Sequence, residues 1–136
     1  MREILFRGKS ANTGEWIFGD YEHFYLSDGE LVVYISKWGK RNDKVLPETV
    51  GQYTGLTDKN GKKIFEGDVI WGDDCTGTWH KGVVEYDDSI GSFIINAKRF
   101  MQYPKNENHY DLLGCWSIEG NIHDNPELLE GENDKL

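Results

Sequence analysis

Two cysteines and four histidines are the residue types here best suited to metal or nucleophilic chemistry. Cys75, His80, Cys115 and His123 carry the donor atoms of a four-coordinate zinc site. Their spacing argues against one, because no Cys-x-x-Cys occurs and each Cys/His pair would have to be assembled by tertiary folding. A thiol nucleophile needs a base beside it, and Cys115 with any of His23, His80, His109 or His123 could supply that pair. Cys115 next to Trp116 in an apolar context reads more simply as a small core residue. Asp73-Asp74 and Asp87-Asp88 could hold a divalent cation or act in acid/base chemistry. Adjacent acids on turns more often serve turn geometry. No phosphate-binding glycine loop, nucleophile elbow or zinc-protease helix is written in the chain. The expectation is a protein that is not an enzyme, with no catalytic, cofactor or metal residues.

The remaining chemical signal is basic. Lys37, Lys40, Arg41 and Lys44 surround Trp38 and Gly39, the most basic segment of the sequence. Such a loop suits single-stranded nucleic acid, with the indole stacking on a base and the cations following the backbone. A solvated loop whose Trp packs on its parent sheet would look the same. Residues 1–66 hold ten Lys/Arg and ten Asp/Glu, so the formal charge of −9 arises wholly after Glu66. An acidic C-terminal half disfavours a general phosphate-binding surface there.

The chain of 136 residues, with sixteen glycines and five tryptophans, predicts many turns between short strands. Arg2–Arg7 and Glu15–Asp20 alternate as an antiparallel pair, with Ile4 and Phe6 on one face of the first strand and Trp16 and Phe18 sharing a face of the second. His23–Ser27 and Glu30–Ser36 form a hairpin about Asp28-Gly29, a favoured two-residue turn. Leu31, Val33 and Ile35 oppose Val32 and Tyr34, so this second strand is apolar on both faces and calls for cover from the core and from another element or a second subunit. Pro47 fixes an extended entry into Val50–Trp71, where Asn60-Gly61 and Glu66-Gly67-Asp68 make two reversals. Thr78–Tyr86 and Ser92–Ala97 flank the turn-rich segment 87–91 as a further hairpin. Asn125-Pro126-Glu-Leu-Leu129 reads as a short helical start with Asn125 as N-cap. Residues 130–136 read as a frayed acidic tail. The two cysteines, far apart, read as free thiols in a reducing compartment. With no apolar run of about 18 residues and no secretory signal pattern, the expectation is a cytoplasmic protein without a membrane partner.

Gly51-Gln-Tyr-Thr-Gly-Leu-Thr-Asp-Lys-Asn-Gly61 followed by Ile64-Phe-Glu-Gly-Asp-Val-Ile70 resembles the signature of the YopX family of phage and prophage proteins. Arg2–Lys9 with Gly14–Asp20 is similar to the family's opening, Gly82-Val-Val-Glu-Tyr86 to its central strand, and Ile118–Leu129 to its ending. Residues 36–44 and 98–113 match nothing in that pattern. The resemblance implies a mainly β fold, N-terminal antiparallel hairpins followed by a C-terminal SH3-like β-barrel, and no assigned reaction or cofactor. On that basis residues 1–66 form an N-terminal β-rich subdomain, 67–129 the barrel and 130–136 the tail, and the chain length predicts one compact unit. Val69–Trp71 would open the barrel, Gly72–Gly77 would be an acidic loop, and a segment within 99–113 together with Trp116–Ile122 would complete it.

Three functions fit. The first is a non-enzymatic phage or prophage accessory protein of the bacterial cytoplasm, an oligomeric interaction module whose partners are itself and a phage or host protein. A second is a nucleic-acid binder using Lys37, Trp38, Lys40, Arg41 and Lys44, helped by Lys98, Arg99 and Lys105. The third is an acidic decoy that occupies a host DNA-binding protein by presenting Asp68, Asp73, Asp74, Glu85, Asp87 and Asp88.

Overall fold

A computed structural model describes residues 3–37, 42–73, 79–96, 109–111 and 115–130, with the backbone alone at 73, 79, 80, 109–111, 115, 129 and 130. It is mainly β and divides into two compact units, Met1–Gly55 and Leu56–Leu136. The strands are β1 (Phe6–Lys9), β2 (Trp16–Tyr25), β3 (Leu31–Ser36), β4 (Asn42–Val45), β5 (Gly51–Thr57), β6 (Lys63–Phe65), β7 (Asp68–Asp73), β8 (Trp79–Asp87), β9 (Ser92–Asn96), β10 (His109–Asp111) and β11 (Cys115–Asn121). A 3-10 turn spans Pro47–Thr49, and a single helical turn, α1, spans Glu127–Glu130.

In the first unit the antiparallel order is β4-β3-β2-β1-β5. The expected opening pair is present, in the register Phe6↔Gly19 to Lys9↔Trp16, although its first strand starts at Phe6 rather than Arg2. The segments 15–20 and 23–27, anticipated as separate strands, are one ten-residue strand. Gly19 explains this. It sits where β2 leaves β1 and takes up β3, and a Cβ there would collide with the Ser36 carbonyl, so this glycine is the close-approach point of a continuous strand.

The β2–β3 loop also differs from a two-residue turn. The Leu26 N–H donates to the Glu30 carbonyl at 2.8 Å and the Gly29 N–H to the Leu26 carbonyl at 2.9 Å. Three residues, Ser27 to Gly29, therefore make the loop. Gly29 has φ 88° and the Asp28 carboxylate accepts the Glu30 N–H at 2.9 Å. The hairpin closed at Asp58 and Lys62 repeats this geometry, with Gly61 at φ 84°.

β4 was not anticipated, because its residues were read as the end of the basic loop. It pairs with β3 from Val33↔Val45 to Ser36↔Asn42 and then returns to β1 through the bridge Ser10↔Val45. The Ala11 N–H bonds to the Lys44 carbonyl and the Leu46 N–H to the Lys9 carbonyl. Gly8 makes room, since a Cβ there would sit 3.0 Å from Val45 Cβ. The curled sheet encloses Val33, Ile35 and Val45, against which Phe6, Ile17, Tyr21, Leu31 and Val50 pack. Buried Thr49 ties the 3-10 turn to β1 by accepting the Lys9 N–H at 2.9 Å. On the other face of β3, Val32 is also buried, so cover on both sides is present.

The second unit has the antiparallel order β10-β9-β8-β7-β11. The hairpin expected about 87–91 is β8–β9, from Val83↔Asn96 to Asp87↔Ser92, while β7 begins at Asp68 and continues to Asp73, past the Trp71 at which an acidic loop was expected to follow. β10 supplies the strand that could not be placed within 99–113. Both sheet faces carry a core. Ile64, Ile70, Val84, Ile95 and Trp116 fill one, and Val69 and Val83 the other, beneath Ile122 and Leu128. Asn125 does not cap α1 with its side chain. Its Oδ1 accepts the Asn121 N–H at 3.2 Å, while its carbonyl accepts the Leu128 N–H.

Candidate functional site

Of the predicted nucleic-acid residues, Lys37 and Lys44 are placed and both are exposed; Trp38, Lys40 and Arg41 lie outside the described residues. Lys37 follows the end of β3. Lys44 stands on β4 directly opposite Tyr34, which is itself opposite Glu22 on β2. Directly opposed residues share a sheet face, so Lys44, Tyr34 and Glu22 form one cross-strand row. Phe24, two residues along β2, lies on the same face, its ring stacked on Tyr34 at 5.6 Å and 23°. With 43% of Phe24 exposed, this is an accessible aromatic pair bordered by a cation, the composition that accepts an unpaired base. The Glu22 carboxylate opposes a phosphate in the same row.

A second cation-aromatic cluster lies on the same face of β1 and β2. Arg7 is over Trp16 at 4.6 Å and the Lys9 ammonium at 5.6 Å, which fits the register Lys9↔Trp16. Arg7 is nearly buried, so its part in this cluster is packing as much as charge. Sequence reasoning missed both aromatic clusters. The signal for the first was the β2–β3 register, which depends on the loop length, and for the second the β1–β2 pairing that sets Lys9 opposite Trp16.

The end of the β2–β3 hairpin is the most apolar exposed run among the described residues of the first unit. Phe24, Tyr25 and Leu26 are 43%, 67% and 42% exposed. Along the opposite face of β2 a row of rings runs Phe6–Tyr21–His23–Tyr25, with successive centroids 5.2, 5.2 and 6.1 Å apart.

For the zinc and thiol candidates, the side chains of Cys75, His80, His109 and Cys115 lie outside the description. His123 donates its backbone N–H to Asn121 Oδ1 at 3.0 Å, within a turn. Among the described residues no group of three or more His, Cys, Asp or Glu is placed to hold a metal ion. Asp87 shapes a turn, its Oδ1 accepting from the Ser89 N–H at 2.9 Å and hydroxyl at 2.6 Å. The acidic surface imagined for a decoy needs one correction. Asp68 is buried, and its Oδ2 accepts the Phe65 N–H at 2.8 Å, fixing the Glu66-Gly67 reversal rather than facing a partner. Glu85 accepts from Asn96 Nδ2 at 2.9 Å, and Asp88 is exposed.

Asp58 is a heavily engaged carboxylate of the second unit. Its Oδ1 accepts the N–H groups of Asn60 and Lys62 at 2.8 and 2.9 Å, and its Oδ2 that of Ile118 on β11 at 3.1 Å. Burial acts to raise its pKa; the backbone donors of Lys62, Ile118 and Asn60, with the Lys62 charge, outweigh that and hold it below the usual 3.8. Its role is to join the Asn60-Gly61 hairpin to β11.

Among solved structures, the crystal structure of protein EF1440 from Enterococcus faecalis is similar over 95% of this chain and 99% of that one, with a TM-score of 0.52 and 21% identity, a likeness of fold. No curated protein matches the chain. The family model described as YopX protein matches residues 5–130. That span takes in both units, both glycine-closed hairpins and the final turn around Asn125, and the chain therefore belongs to the YopX family.

Proposed function

We propose that this YopX-family chain is a non-enzymatic phage or prophage accessory protein that acts in the bacterial cytoplasm as an interaction module, forming a homo-oligomer and engaging a phage or host protein. The observation that carries this reading is the exposed apolar end of the β2–β3 hairpin, where Phe24, Tyr25 and Leu26 follow one another, each more than 40% exposed. Three consecutive large apolar residues left accessible are the composition of a contact surface. The second unit, five antiparallel strands around Trp116, is read as an SH3-like barrel, a scaffold that presents loops and strand edges to partners. No helix among the described residues is long and apolar enough to cross a membrane. Affinity purification of the tagged protein from its bacterial host, with mass spectrometry and nucleic-acid detection on one eluate, tests the reading. A protein co-purifying stoichiometrically supports it; an eluate containing neither a partner nor a second copy refutes it.

A second reading is favoured by one observation, the stacked Phe24–Tyr34 pair beside Lys44, continuous with the segment bearing Lys37, Trp38, Lys40 and Arg41. It makes this face a site for short single-stranded nucleic acid. Retention of oligonucleotides at low salt that weakens steeply as salt is added is the expected signature, and no retention at low salt removes it.

A further inference from the structure

β2 is ten residues long, yet its ladder with β1 ends at Phe6↔Gly19. From Asp20 to Tyr25 it is paired with β3 on one side, and among the described residues no strand lies on the other. Residues 3–5, which would have to continue β1 along that edge, are in no strand, and the Leu5 carbonyl, on the β5 side of the chain, accepts the Tyr53 N–H at 2.8 Å. The direction of the unpaired groups follows from the hairpin. The Leu26 N–H points to Glu30 on the β3 side. Because alternate residues of an antiparallel strand point their polar groups the same way, Phe24, Glu22 and Asp20 also bond towards β3, and Tyr21, His23 and Tyr25 point their N–H and C=O groups outward. The β1 side agrees, since Glu15, of the same parity, accepts the Ser10 N–H.

We infer that this edge of β2, Asp20–Tyr25, pairs antiparallel with the same edge of a second copy of the chain, joining two first-unit sheets about a two-fold axis at His23. The inference rests on the homo-oligomer reading above and gives it a surface. A two-fold axis perpendicular to the sheet requires opposed residues of equal parity, which leaves two central registers. Centred on Glu22, the pairing sets two carboxylates face to face and engages only Tyr21 and His23 on each copy. Centred on His23, it opposes Tyr21 to the second copy's Tyr25, separates the Glu22 carboxylates, and lets Tyr21, His23 and Tyr25 form about six inter-copy hydrogen bonds. The latter also runs the row of Tyr21, His23 and Tyr25 rings on into its symmetry mate, covering Tyr25, the most exposed aromatic of the chain's described part. Charge permits the meeting. Residues 1–55 hold seven Lys/Arg against eight Asp/Glu, so the excess of negative charge that would repel two copies lies in the other unit.

The test is the substitution His23→Pro. Its N–H is directed outward, so proline removes a donor from the free edge and obstructs a neighbouring strand while the bonds to β3 remain. Sedimentation equilibrium across a wide concentration range should give a dimer for the wild-type protein and self-association weakened at least about tenfold for the variant, with unchanged far-ultraviolet circular dichroism. Equal dimerisation in a folded variant overturns the edge assignment and leaves the homo-oligomer reading standing; a wild-type monomer at every concentration overturns both. Should the variant fail to fold, hydrogen exchange of the wild type decides. The Tyr21, His23 and Tyr25 amides should gain protection on concentration, and concentration-independent exchange at those three overturns the inference.

Discussion

Replacing Asp58 with alanine strips three backbone donors of their acceptor at once. The N–H groups of Asn60, Lys62 and Ile118, now 2.8 to 3.1 Å from its oxygens, would face either an apolar methyl group or whatever water can enter. A partly buried donor left unsatisfied costs about 1 to 3 kcal/mol, and the bonds lost are to a charged acceptor; at the low end for each, the total is about 3 kcal/mol. With a urea slope of about 2 kcal/mol per molar, the unfolding midpoint should fall by about 1.5 M. Trp116, buried against Ile64 and Ile70, gives a fluorescence signal close to the perturbation. Asp58→Asn is the sharper variant. One amide oxygen can still serve Asn60 and Lys62, but the NH2 group then confronts the Ile118 N–H, so about 1 to 2 kcal/mol should be lost. The sign of the pH effect follows from the lowered pKa. Asp58 contributes its full stabilisation above the usual 3.8 of the unfolded chain and loses it as pH falls through the lower folded value, so the penalty of Asp58→Ala should shrink under acid. A penalty below about 0.5 kcal/mol at neutral pH, or one that grows on acidification, would refute the reasoning.

Trp116→Ala should destabilise the second unit by about 3 to 5 kcal/mol, as an indole 1% exposed leaves a cavity walled by Ile64, Ile70, Val84 and Ile95; chemical denaturation reads it. Gly8→Ala should cost about 1 to 3 kcal/mol, because its Cβ meets Val45 at 3.0 Å, and Gly8→Ala with Val45→Ala together should recover part of the clash energy in a double-mutant cycle. Gly29→Ala, at φ 88° with open space around it, should cost roughly 1 to 2 kcal/mol from backbone strain alone, seen as a lower melting temperature. If the Phe24–Tyr34 face takes single-stranded nucleic acid, Lys44→Glu should lower both its affinity and the salt dependence of binding, measured by fluorescence anisotropy.

The hairpins were legible because their loops are written in local chemistry. Asp28-Gly29 and Asn60-Gly61 mark reversals that the structure contains, since glycine alone adopts positive φ there without strain. Loop length was less visible. Taking Asp28-Gly29 as a two-residue turn places Ser27 opposite Glu30, one residue away from the observed closure at Leu26, and a slip of one residue turns every β2 side chain to the opposite face relative to β3. That error conceals the Phe24–Tyr34 stack. β4 was hidden for a different reason: Asn42, Asp43 and Lys44 have poor strand propensity, and the ladder forms because Val45 enters the core over Gly8. The buried place of Asp68 was equally unreadable, since a carboxylate bonded to a backbone N–H three residues earlier has the composition of a solvated turn. Lys44, read from the sequence as part of a basic loop, belongs instead to a strand beside an aromatic pair.

The position of β7 between β8 and β11 has a consequence for synthesis. The first unit has all its strands once the ribosome has passed Gly55, whereas β7 waits for a neighbour that begins at Cys115, and Trp116 arrives with it. At elongation rates of about 5 to 20 residues per second, Ile64, Ile70 and Val84 spend several seconds in a nascent chain without the Trp116 indole they pack on. Translation speed and chaperone supply thus bear on the second half of the polypeptide far more than on the first.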